Sequence, residues 1–210
     1  MSTLLILQNR LHNPRELGGI RDTLQQLPLI IRVLQEFDGP NVTELCNKVE
    51  DFPELRDLLN KSLVETLPNQ LQDGNYIRDQ YDEELDHLRL LSRDNKTWIS
   101  ELESSEKKRS GIKNLRIKYN NAFGYFIEVT KSNIHLVPDN YIRKQTMTNA
   151  ERYYTTDLKE KEKEIIHAEE KSIAREEILF REMVAQVLAN VDRLKSTDEV
   201  LARTDLFVGW

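Results

Sequence analysis

Leu115-Arg116-Ile117-Lys118-Tyr119-Asn120-Asn121-Ala122-Phe123-Gly124-Tyr125-Phe126-Ile127-Glu128-Val129-Thr130 decides the fold class. Leu115, Ile117 and Tyr119 alternate with Arg116 and Lys118. Tyr125, Ile127 and Val129 alternate with Phe126, Glu128 and Thr130. Period two over β-branched and aromatic residues predicts two strands. Asn120-Asn121-Ala122 tolerates positive φ and predicts a hairpin with Asn121 at its tip. The basic residues of the first strand share the face away from Leu115 and Ile117. Tyr119, Phe123, Tyr125 and Phe126 are of types that stack on bases or fill a small sheet's core; the alignment of Tyr119 and Tyr125 with the aliphatic face selects the core. Lys131 to Asp139 reads as a loop, with Pro138-Asp139 as a turn, and Tyr141 to Asn149 continues irregularly.

On both sides the period is helical. From about Asn75, Ile77, Tyr81, Leu85, Leu88, Leu91, Trp98 and Leu102 mark one stripe on a single long helix. Beyond the strands, Thr155 and Thr156 offer an N-cap, and Ile165, Ile173, Phe180, Met183, Val187, Val191 and Leu194 mark a second helix running to about Leu194. At 1.5 Å per residue these are rods of about 45 and 60 Å. Leu4 to Gln72 reads as shorter helices. Asn13 caps the first, with Pro14 in its first turn and Leu17, Ile20, Leu24 and Leu27 following; Pro28, Asp38-Gly39-Pro40 and Pro53 break further ones; Pro68 and Asp73-Gly74 close the region. The order predicts a mainly α fold: a helical core (residues 1–74), an outgoing helix (75–106), a small antiparallel β unit (107–153) and an antiparallel returning helix with more core (154–210).

Charge is segregated. Lys107 to Arg152 holds ten basic and three acidic residues, a net of +7 in a chain of net −6, so the remainder is −13. A basic patch on an acidic body favours a polyanion docked at one place. Lys118 on the strand face, Asn121 at the tip, Lys131, Ser132 and Asn133 after the second strand, and Arg143 and Lys144 beyond are the predicted phosphate contacts. Lys107, Lys108 and Arg109 are either solvated or paired with glutamates across the long helices. His135 either donates to a phosphate or packs beneath its loop. No helix carries Arg, Asn and Gln at groove-reading spacing, so sequence-independent binding is expected.

Other function classes find little support. No apolar run approaches a membrane span, and Met1 to Arg10 lacks the basic start and cleavage site of a signal peptide. Cys46, beside Leu45 and Val49, reads as a buried small hydrophobe, and a single cysteine fits a reducing compartment. His12, His87, His135 and His167 lack ligand partners at metal-binding spacing. No nucleophilic triad stands out, and Glu169-Glu170 reads as a solvated helix face.

Phe123-Gly124-Tyr125-Phe126-Ile127-Glu128-Val129-Thr130, His135-Leu136-Val137-Pro138, Tyr141-Ile142-Arg143-Lys144-Gln145-Thr146 and Asn149-Ala150-Glu151-Arg152-Tyr153 together resemble the clamp of the MutS family of DNA mismatch-recognition proteins. Asp157-Leu158-Lys159-Glu160 and its helix resemble the returning lever, and Asn13-Pro14-Arg15-Glu16-Leu17 a motif of the core. The likeness covers nearly the whole chain and is strongest from Gly111 to Glu170. It implies a core, lever and clamp fragment that contacts duplex DNA phosphates and relays the contact to an ATPase domain. The G-x-x-x-x-G-K-[ST] loop of that ATPase has no counterpart here, and neither has the family's N-terminal mismatch-reading domain, which carries its Phe-x-Glu wedge. The resemblance therefore implies no enzyme activity and no cofactor in this fragment, ATP and Mg in the parent only, a homodimeric cytoplasmic parent with a MutL-like partner, and a monomeric or weakly associated fragment. The competing expectation is a helical scaffold whose long stripes pair with a foreign helix.

Overall fold

The computed structural model describes residues 11–36, 43–44 and 46–208. The expectations for Leu4, for Asp38-Gly39-Pro40 and for Leu45 lie outside them. In chain order the elements are α1 (Pro14–Gln35), α2 (Pro53–Ser62), a 3-10 turn (Leu71–Asp73), α3 (Glu83–Ser110), β1 (Arg116–Asn120), β2 (Gly124–Thr130), a second 3-10 turn (Lys131–Leu136), β3 (Ile142–Thr146), β4 (Ala150–Tyr154), α4 (Thr156–Ala189) and α5 (Val191–Val208). The chain is mostly helical with one four-stranded antiparallel sheet. No described helix is long and apolar enough to cross a membrane. Residues divide into two compact units, one joining the chain up to Asp82 with the chain from Ile173, the other Glu83–Ser172.

In the first unit Asn13 Oδ1 accepts the Glu16 N–H at 3.0 Å, and Pro14 sits in the first turn, where it forfeits no hydrogen bond. Pro28, read as a break between helices, lies inside α1. Leu24, Leu27 and Leu34 are buried on either side of it. Burial at roughly 1.5–3 kcal/mol per leucine outweighs the ~3 kcal/mol a helix-interior proline costs. Pro53 does open α2, behind Phe52 in the left-handed region at φ +47°. Leu59, Leu63, Tyr76, Ile77, Phe180 and Met183 are core, with Tyr76 edge-on to Phe180 at 6.0 Å. Glu176, buried among them, accepts the Asn75 and Ile77 N–H groups at 2.7 and 3.2 Å. Cys46 is half-buried rather than core.

Two helix boundaries differ from the sequence reading. Ile77 bridges Leu63 as isolated β structure, and Gln80 is at φ +67°, which no helix interior holds, so α3 starts at Glu83. The returning helix is two helices, because α4 stops at Ala189, and the Asn190 side chain donates to the Gln186 carbonyl and accepts from Arg193.

In the second unit α3 buries Leu85, Ser92, Asn95, Ile99 and Glu106. This is a heptad seam, shifted by one residue from the expected Leu91 and Trp98. Leu91 is exposed and Trp98 half-buried. Leu158, Ile165 and Ala168 are the buried apolar residues of α4 here. Ser92 Oγ donates to Glu169 at 3.4 Å, Lys96 pairs with the same carboxylate at 2.5 Å, and the Lys161 ammonium lies 5.4 Å from the Trp98 ring. Positions rise along α3 as they fall along α4, so the two run antiparallel here. Thr155 Oγ1 caps α4 by accepting the Leu158 N–H at 3.2 Å.

The sheet order is β1-β2-β4-β3. The predicted hairpin forms, with Ile117 opposite Ile127 and Tyr119 opposite Tyr125. Its left-handed residue is Gly124 at φ +71°, not an asparagine. β3, within the stretch read as irregular, is a strand paired with β4; it is an edge strand, its exposed residues show no alternation, and a register shift between Arg143 and Gln145 breaks its period. One sheet face supplies Ile127, Val129 and Tyr153 to a core with Ile99, Ile112, Leu115, Tyr141, Leu158 and Ile165. Tyr119 packs against Tyr125, ring centroids 4.9 Å apart and tilted by 56°, yet is 52% exposed, and Phe123 is exposed too. Phe126 is buried by another route, on the opposite sheet face beneath the Arg152 guanidinium, 4.3 Å from its ring. The aromatic set is thus core only in part. Glu103 of α3 accepts the Ile117 N–H at 2.8 Å and covers the outer edge of β1.

Candidate nucleic-acid interface

Charge counted along the chain is not charge available at the surface. Of the ten basic residues from Lys107 to Arg152, six meet a carboxylate. Lys107 and Arg116 share Glu103, Lys118 and Arg152 share Glu128, Arg109 grips Glu106, and Arg143 lies 3.7 Å from Glu151. Lys107 and Arg109 therefore pair within their own helix rather than across to the other. Burial opposes ionisation of Glu103 and Glu106. Hydrogen bonds from Lys107 and the Ile117 N–H, and from Arg109 and the Tyr141 hydroxyl at 2.6 Å, still hold both carboxyls below the usual range. The Lys118 hydrogen bond does the same for Glu128. Burial, with a 2.5 Å bond to Glu151, pushes the Tyr153 phenol up to about 12.

Lys144 is engaged differently. Its ammonium donates to the Phe123 carbonyl beside the Tyr154 ring, and burial together with the neighbouring Lys159 lowers its pKa. Among the described residues this leaves Lys108, Lys113 and Lys131 exposed and without an ion-pair partner.

The sheet separates the predicted contacts. β2 runs from Gly124 to Thr130, about 20 Å at strand rise. Asn121 and the Lys144 ammonium lie at its first end; Lys131, Ser132 and Asn133 lie at the other. Lys118 is within β1 and Arg143 on edge strand β3. At the Lys131 end three loops meet. Asn114 Nδ2 donates to Thr130 Oγ1 at 3.0 Å, Asn133 Nδ2 donates to Asn114 Oδ1 at 2.7 Å, and the Lys131 N–H donates to the Asn149 carbonyl at 3.1 Å. Ser132 Oγ lies 3.1 Å from Thr130 Oγ1. His135 is exposed on the 3-10 turn, not packed beneath it.

Residues 80–171 match the family described as MutS family domain IV. Over 197 residues the chain is 44% identical to the DNA mismatch repair protein MutS of Caldanaerobacter subterraneus subsp. tengcongensis, covering 94% of this chain and 23% of that protein. The MutS proteins of Geobacillus sp. (strain WCH70) and Alkaliphilus oremlandii are 44% and 41% identical over 92% of this chain, covering 23% and 22% of their own lengths. The chain belongs to the MutS family. It spans less than a quarter of the length of the MutS relatives it matches.

Two residues of this end escaped the sequence reading of sites. Lys113 was counted as charge only, and Asn114 not at all. Their signal lies in their neighbours: Ile112 and Leu115 are both fully buried, and a tight turn between two buried residues directs the intervening pair to solvent.

Proposed function

We propose that this chain is the clamp and lever portion of a MutS-type mismatch repair protein, with residues 107–153 gripping the backbone of duplex DNA regardless of sequence. One observation carries the reading: in a segment of net +7, the exposed lysines left without carboxylates include Lys113 and Lys131, on joined loops at one end of the sheet. A surface of ammonium and hydroxyl donors suits phosphate oxygens, which only accept. Lys131 and Ser132 are the principal contacts; Lys118 and Arg143 must exchange a carboxylate for a phosphate, and Asn121 and Lys144 lie too far along β2 to touch the same one. The antiparallel α3–α4 pair is the lever. In the longer protein it would relay the contact to an ATPase domain that holds ATP and Mg, in a homodimer served by a MutL-like partner. The portion itself is not an enzyme, needs no cofactor, and binds alone as a weak monomer without the avidity of a second clamp. Against the scaffold reading, Trp98 and Leu102 of the outgoing stripe and Ile165 of the returning one pack into the unit's own core.

Random duplexes titrated with salt test this. Three unpaired lysines give a slope of log K against log salt of about −3, against about −9 were all ten cations available. Lys131→Glu weakens all duplexes alike and flattens that slope by about one. Unchanged affinity in Lys131→Glu removes this end from the interface.

A further inference from the structure

The Lys131 end of the sheet is wired in one direction. Thr130 Oγ1 accepts the Asn114 amide proton at 3.0 Å and an Asn133 amide proton at 3.4 Å. A hydroxyl has two acceptor lone pairs and one proton. With both lone pairs engaged, the Thr130 proton goes to Ser132 Oγ, 3.1 Å away. Ser132 is exposed, so its own proton is left to point outward. Asn133 spends both amide protons inside the group, on Asn114 and Thr130, and has none to offer a ligand. Asn114 keeps one. No carboxylate bonds to any of these side chains, and Lys113 and Lys131 flank them without ion-pair partners among the described residues. The exposed groups are thus mainly donors and cations, the composition that suits an oxyanion.

We propose that Asn114 and Thr130 are positioning residues that hold Ser132 as an outward hydroxyl donor, in a seat for one phosphodiester group completed by Lys113 and Lys131. This rests on the backbone-binding reading above. It also changes the role of Asn133 from phosphate donor to support. Lys113 enters as a second cation, and Asn114, in the turn before β1, ties that cation's loop to the 3-10 turn after β2.

The test is fluorescence-anisotropy binding of the full chain to a random duplex at low salt, with a thermal melt of each variant. Ser132→Ala and Thr130→Val each weaken binding by about fivefold, as loss of one exposed charge-assisted hydrogen bond should. The double variant binds no more weakly than either single one, because both remove the same contact. Thr130→Ser, which keeps the hydroxyl, retains wild-type affinity; a merely structural Thr130 would not discriminate in this way. Asn114→Ala on its exposed turn tests the same wiring should Thr130→Val unfold, and also binds about fivefold more weakly. Lys113→Gln flattens the salt slope by about one. Wild-type affinity in Ser132→Ala, or losses that multiply to about 25-fold in the double variant, overturns the inference while leaving backbone binding intact. Absence of duplex binding by the wild-type chain overturns the backbone reading and the seat together.

Discussion

Gly124 is the residue on which the hairpin turns. It sits at φ +71°, and a Cβ built there would lie 1.6 Å from Glu162 Oε1 and 2.5 Å from its Cδ. Glu162 is itself buried and paired with Lys159 at 2.8 Å, so it cannot withdraw without exposing or unpairing a charge. Gly124→Ala therefore combines left-handed strain with displacement of a seated carboxylate, and should cost about 2–4 kcal/mol in denaturant unfolding. A loss below about half a kcal/mol would mean that Glu162 swings aside freely. The sequence places a turn here correctly but assigns the positive φ to asparagines. Asn120 instead uses its side chain, accepting the Ala122 N–H at 2.8 Å, and leaves the unusual backbone to the one residue without a Cβ.

At the scale of the element, the α3–α4 pairing is polar where a two-helix seam is ordinarily apolar. Ser92 and Asn95 occupy seam positions between Leu85 and Ile99. Asn95 is only 4% exposed, and its amide nitrogen has no hydrogen-bond partner among the described residues. A buried donor left unmade costs about 1–3 kcal/mol. Asn95→Leu should accordingly stabilise the chain by about 1–2 kcal/mol, read as a higher denaturant midpoint. A lower midpoint would show that the amide is bonded in solution. The helices were legible from periodicity, but which residue of each turn faces inward was not. A stripe of Leu88, Leu91 and Trp98 is the more hydrophobic choice, and only the partner helix selects Ser92 and Asn95 instead.

Across the whole molecule, carboxylates of the second unit tie basic residues to helices and strands. Glu103, Glu106 and Glu128 all have pKa values below their ordinary 4.5. A depressed carboxyl contributes stability that is complete above the unfolded value and is lost as pH falls through the folded one. Urea stability should hold from neutrality to about pH 5 and decline below about pH 4.5, with a shallower decline in Glu106→Gln. An acid limb of the same steepness in that variant would remove Glu106 from the account. The same pairing explains why a +7 segment presents few unpaired cations. Linear charge counts ignore partners brought in by folding, and Glu103 and Glu106 lie just outside the segment counted.

Local chemistry alone determined the capped start of α1, the existence of two long helices and the β1–β2 hairpin, because Asn13-Pro14, helical periodicity and period-two alternation act within a few residues of chain. The MutS resemblance likewise rests on contiguous blocks. Only the tertiary structure decided that Pro28 stays inside a helix, that β3 pairs at the edge through a register shift, and which lysines remain unpaired. Each depends on groups distant in sequence, such as Lys118 with Glu128 or Asn114 with Asn133, and a hydrogen bond or ion pair exists only once the fold has brought both partners within about 3 Å.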